Sequence, residues 1–195
     1  MAGSAETATA TSWRLSRRQL VELSVPGVVI AALAGAIAGG LIAMTGEPFH
    51  VALFAGVALA VPLAIFGAAY EILLAHGRIS LGALTPVALY WAAAFTVSRV
   101  IQTALLEMYA GSVVAVPHGW LDFLVYNALV SVGFGIGYWW LHENFAPTWW
   151  FRIRERNPAA DHMVRVKLDY AARAEQEKAQ RRQQQEARRA ERRRR

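Results

Sequence analysis

The apolar positions of this chain gather into four long runs, roughly Val25 to Met44, His50 to Ala75, Leu81 to Leu106 and Gly119 to Leu141. Each is long enough for an α-helix to cross a hydrocarbon core, which takes about 20 apolar residues. Helices are the spanning form predicted, because lipid offers unpaired backbone groups no partner and four strands cannot close a barrel. Short connections make neighbouring runs alternate in direction. The expected fold is therefore all-α, a four-helix transmembrane bundle over residues 25–141. Residues 1–24 form a polar start with a short interfacial helix, in which Trp13, Leu20 and Val21 alternate with Arg14, Arg17 and Arg18. Residues 142–157 form an interfacial Trp/Arg segment, and residues 158–195 a basic, charged helix.

Charge orients this bundle. The chain is 55% hydrophobic and only 17% charged, and its charges are segregated. Between Gln19 and Phe151 the only Lys or Arg residues are Arg78 and Arg99. From Arg152 to Arg195 fifteen Lys or Arg stand against seven Asp or Glu, a balance of +8 against +6 for the whole chain. Arg14, Arg17 and Arg18 precede the first run and Arg78 separates the second from the third, whereas the loops Thr45 to Phe49 and Met108 to His118 have no Lys or Arg. Basic loops are retained in the cytoplasm, so all five segments predict cytoplasmic N- and C-termini in a plasma (inner) membrane. The Ala and Arg bias suits a bacterium. A cleaved signal peptide is the competing reading of the start, but the first apolar run exceeds the about 7–15 residues of such a peptide's core. The absence of cysteine excludes disulfides and thiolate metal sites.

Small residues predict how the helices meet, since helix contact in lipid depends on close backbone approach. Gly27, Ala31, Gly35 and Gly39 recur every four residues in the first run, as do Ala52, Gly56, Ala60, Ala64 and Ala68 in the second. These ridges predict a tight hairpin, or a surface for another protein. Gly133 and Gly137 offer a similar stripe in the fourth run, with Gly135 off it, and Pro62 and Pro86 predict kinks. Trp120 marks the outer edge of the fourth run. Trp139 and Trp140, then Trp149 and Trp150 with Arg152 and Arg154, are the expected membrane anchors at its inner edge.

Polar residues within the apolar runs are the candidates for chemistry. Arg99 is costly in a span unless it is paired or reaches the interface. Gln102 shares its helix face; Asp122 is its expected partner, with Tyr126 and Asn127 one turn deeper. An ion pair fixing helix register and an outward-facing pocket for an anionic headgroup are the two readings of this cluster. Glu71 is expected to be capped near Arg78 at the inner end of the second run. His50, His76, His118 and His142 flank the second and fourth runs and raise the question of b-type haem. The paired histidines stand 26 and 24 residues apart, close to 40 Å along a helix, which disfavours it, and no cofactor is predicted. Glu47, His50, Glu107 and His118 are outer-face candidates, but no metal-binding spacing links them and no metal is predicted. No phosphate-binding loop or nucleophile elbow is present.

Asn157 and Pro158 open the tail as a helix start, and acids stand four residues before bases at Asp161 and Arg165, Asp169 and Arg173, and Glu177 and Arg181. The tail is expected to meet anionic headgroups of membrane lipids; nucleic acid is disfavoured because no aromatics interleave its distal charges. The first expectation for function is an accessory or scaffold subunit of a larger membrane complex, in contact with other membrane subunits or with itself. A transporter or channel component using Arg99 and Asp122 is the alternative, and a membrane enzyme acting on lipid-linked substrates the second.

Overall fold

The computed structural model describes residues 15–111 and 119–194; Trp13, Arg14 and His118 lie outside the described residues. The described residues form five helices and no strand: α1 Arg17–Met44, α2 Phe49–Ala75, α3 Leu84–Tyr109, α4 Trp120–Ile153 and α5 Pro158–Arg194. The first four are long and apolar enough to cross a membrane.

Helix α1 opens with a capping box: the Ser16 hydroxyl accepts from the Gln19 amide at 3.3 Å, and the Gln19 side chain accepts from the Ser16 amide at 2.9 Å. It has no break near residue 25, where the sequence predicts an interfacial helix giving way to a span. Leu23, Ser24, Pro26 and Gly27 are all buried, so one face packs inward across that boundary. Pro26 lacks an N–H and leaves the Glu22 carbonyl without its helical donor. The Trp149 indole N–H fills the gap, donating to that carbonyl at 2.7 Å.

Helix α2 ends on Gly77, whose φ of +66° is open to glycine at little cost. The Arg78 amide there reaches the Leu73 carbonyl at 2.9 Å and the Gly77 amide the Leu74 carbonyl at 3.0 Å, satisfying the last turn. Helix α3 starts at Leu84, three residues later than the apolar run suggests. Pro86 therefore occupies the first turn, where a missing N–H breaks no bond, and the kink expected there does not arise.

Helix α4 continues past Leu141 to Ile153. Its buried positions Asn127, Ser131, Gly135, Tyr138, His142, Ala146, Trp150 and Ile153 recur every three or four residues, so a single inward stripe runs along the whole helix. The stretch expected to lie along the membrane surface is its last three turns, and Trp150 is 1% exposed. Gly135 is the glycine that packs, against Ala88 and Trp91, while Gly133 and Gly137 face open space. Asn157 then reverses the chain: its side chain accepts from the Ala160 amide at 3.3 Å and donates to the Gln19 carbonyl at 2.9 Å.

Backbone meets backbone between α1 and α2. A Cβ on Gly27 would stand 2.4 Å from the Gly67 carbonyl oxygen, one on Gly35 2.6 Å from that of Gly56, and one on Gly39 2.9 Å from that of Ala52. Ala31 is buried in this seam. Along α2 the seam departs from the four-residue ridge, leaving Ala64 and Ala68 half-buried and using Gly67 instead. Four residues advance a helix by about 400°, so a strict four-residue ridge drifts about 40° per step and a seven-residue step restores the face. The buried rings Trp91, Tyr138 and Trp150 lie with Leu23, Ile153 and Met163 toward the end where α1 begins and α5 folds back. We call this the termini end, and the opposite one the loop end.

Candidate functional site

Two polar clusters interrupt the apolar interior, one toward each end. At the loop end, half-buried Arg99 on α3 donates from Nε to Asn127 Oδ1 on α4 at 3.1 Å and from Nη1 to Gln102 Oε1, one turn along its own helix. Gln102 passes the connection on, its Nε2 donating to the Ala55 carbonyl of α2 at 2.8 Å. Asn127 Nδ2 donates to the Phe123 carbonyl at 2.8 Å. Three helices are thus joined through two buried amides. Both acceptors are neutral, and among the described residues no ion pair reaches the guanidinium.

Asp122 is not that partner: among the described residues no ion pair joins it to Arg99. The reason is helical phase, since Asp122 precedes Asn127 by five residues and so points about 140° away around α4. It is exposed, as is Tyr126 at 63%. Of the outer-face candidates, Glu47 and His50 are exposed and Glu107 is half-buried. The His50 ring lies 6.5 Å from that of Tyr109, which stacks on Phe54 at 4.4 Å. Among the described residues no three His, Asp or Glu side chains gather as metal ligands.

At the termini end, Glu71 on α2 and His142 on α4 meet at 2.8 Å between Oε1 and Nε2, both of them buried. Rings close around the pair. Tyr70 meets the imidazole edge-on at 5.2 Å, Tyr138 stacks on it at 5.7 Å and Trp150 packs at 5.5 Å on a steep tilt. Trp91 backs Tyr138 at 4.2 Å, and the Tyr90 hydroxyl donates to the Phe66 carbonyl at 2.6 Å. Glu71 Oε2, the Tyr138 hydroxyl and the indole nitrogens of Trp91, Trp139 and Trp150 are enclosed without a hydrogen-bond partner among the described residues. An acid and a base thus meet each other inside the protein, each within hydrogen-bond distance of the other.

Sequence reasoning misses this pair. Glu71 is not capped by Arg78, which is exposed, and His142 is buried inside the protein. His76, expected nearby, turns Nδ1 to the Ile72 carbonyl at 2.7 Å. The available signal is phase: His142 shares its four-residue interval with Tyr138, Ala146 and Trp150, a stripe too apolar to face water.

The remaining expected anchors lie outside the two clusters. Trp140 is 60% exposed, Trp139 and Trp149 are half-buried, Arg152 is exposed, and the Arg154 guanidinium sits 4.1 Å over the Phe151 ring. Glu22 receives both Arg18 and Arg156 at 3.1 Å, and Lys167 of α5 pairs with Glu143 of α4. Together they fasten the start of α1 and the first turns of α5 to the end of α4. The chain matches no protein-family model, no curated protein and no solved structure, so the site rests on its own geometry.

Proposed function

We propose that this membrane protein is a small accessory subunit of a larger membrane assembly, with both termini cytoplasmic, and that it docks a partner's transmembrane helix against the α1–α2 hairpin. The observation that carries the reading is a groove of about 410 Å³ on the outer face of that hairpin, lined by Ala36, Gly39, Gly40, Ala43, Leu53 and Val57 among others. In lipid, helices associate through close packing over small residues. The seam of this hairpin is already spent on itself, most closely at Gly27 and Gly67. Gly40 differs, because a Cβ there meets nothing within 4 Å. The basic surface of α5, exposed from Leu168 to Glu186, supplies a further contact for anionic headgroups or a partner. Transport through Arg99 and Asp122 has less support, since the two side chains diverge.

Gly40 supplies the test. Gly40→Leu fills the groove without entering the hairpin, so the variant is expected to fold and be as abundant as wild type but lose the membrane subunits that co-purify after gentle detergent extraction. Wild-type protein that purifies alone, or Gly40→Leu that keeps every subunit, contradicts the proposal.

A further inference from the structure

Independently of how the hairpin is used, Arg99 has an unmet requirement. A guanidinium carries five N–H donors and one positive charge. Two donors are engaged, by Asn127 and Gln102, and both acceptors are neutral amides. The other three, including both on Nη2, have no partner among the described residues, and the Arg99 side chain is only half-buried. Here the two clusters part: Glu71 is sealed in, whereas Arg99 keeps part of its surface exposed.

Depth narrows what can reach it. Gln102 and Asn127 each lie seven residues from the loop-end terminus of their helix, Tyr109 and Trp120. At 1.5 Å per residue that is about 10 Å, close enough to the interface for a headgroup drawn slightly inward. The amides fix the guanidinium plane, which saves an arriving anion the cost of ordering it. Guanidinium donors match phosphate oxygens in pairs, and a charged acceptor binds more strongly than a neutral one. Tyr126, one residue from Asn127 and exposed, places a hydroxyl-bearing ring on the same end of α4.

We propose that the open side of Arg99 binds a phosphate oxyanion, from the headgroup of an anionic phospholipid or from free phosphate. The test uses intact protein in neutral detergent, with native mass spectrometry after addition of phosphatidylglycerol, phosphatidylcholine or inorganic phosphate. Wild type is expected to retain one phosphatidylglycerol in preference to phosphatidylcholine. Arg99→Gln is expected to lose that adduct by about tenfold or more, Arg99→Lys to keep part of it, and Arg152→Gln to leave it intact. Phosphate binding without preference for phosphatidylglycerol, lost in Arg99→Gln, assigns the site to free phosphate and also supports it. Equal retention in wild type and Arg99→Gln, with no effect of phosphate, overturns it. Should Arg99→Gln not fold, photo-crosslinking of wild type with a headgroup-labelled phosphatidylglycerol decides: adducts near Gln102 and Tyr126 support the site, and adducts confined to the basic termini end overturn it.

Discussion

The two polar clusters solve the same physical problem in opposite ways. Glu71 and His142 bring acid and base together within a shell of tyrosine and tryptophan, each the other's polar partner. Arg99 is held by Gln102 and Asn127, which orient its charge without cancelling it. The difference follows from the side chains around them. Bulky rings enclose the pair at the termini end, while the partners the loop end gives Arg99 are two amide side chains, which hold its guanidinium without burying it fully. A polar group that is both enclosed and paired reads as a structural tie; one that is oriented but open reads as a place for a ligand.

Substitutions can break this contrast, and the largest effect is expected at the enclosed pair. Glu71→Ala leaves His142 buried alone and is expected to destabilise the fold by about 3–5 kcal/mol, measured by unfolding in mixed detergent. Combining Glu71→Leu with His142→Phe should recover most of that loss, because a packed apolar pair needs no compensation. If the double substitution is as damaging as the single one, the pair does more than tie α2 to α4.

A smaller effect is expected at the open cluster. Gln102→Ala removes a bond to a charged donor and the link to Ala55, for about 1.5–3 kcal/mol by the same measurement. A loss as large as that of Glu71→Ala would mean that the loop end is as closed as the other. Trp149→Phe strips the indole donor from the Glu22 carbonyl freed by Pro26 and is expected to cost about 0.5–1.5 kcal/mol. Asp122→Asn should change stability by less than about 0.5 kcal/mol, because its side chain is exposed. A cost above about 2 kcal/mol there would restore Asp122 as the counter-charge of Arg99.

Hydropathy makes the four long apolar helices and the fifth, charged one legible before any coordinates. Helix α2 runs Phe49–Ala75 against an apolar stretch read from His50 to Ala75. Ends set by packing are harder to read. Past Leu141 the composition turns aromatic and basic, which suggests a surface segment, yet Ala146, Trp150 and Ile153 keep the buried phase of α4. Within the candidate sites, Gln102 follows from Arg99 by spacing on one helix. Asp122 is favoured over Asn127 when charge complementarity is weighed ahead of helical phase, and phase decides. Glu71 and His142 stand 71 positions apart on helices that the sequence does not show to be neighbours.

The central claim, one cluster sealed and the other open to lipid, is tested most directly by NMR of side-chain N–H groups. The protein would be isotope-labelled at arginine and histidine and placed in nanodiscs that contain a lipid bearing a nitroxide near its headgroup. With Arg99→Lys used to identify the signal, the account predicts that the nitroxide broadens the Arg99 guanidinium resonances and leaves those of the His142 imidazole sharp. Equal broadening of both, or a sharp Arg99 signal beside a broadened His142, would contradict it.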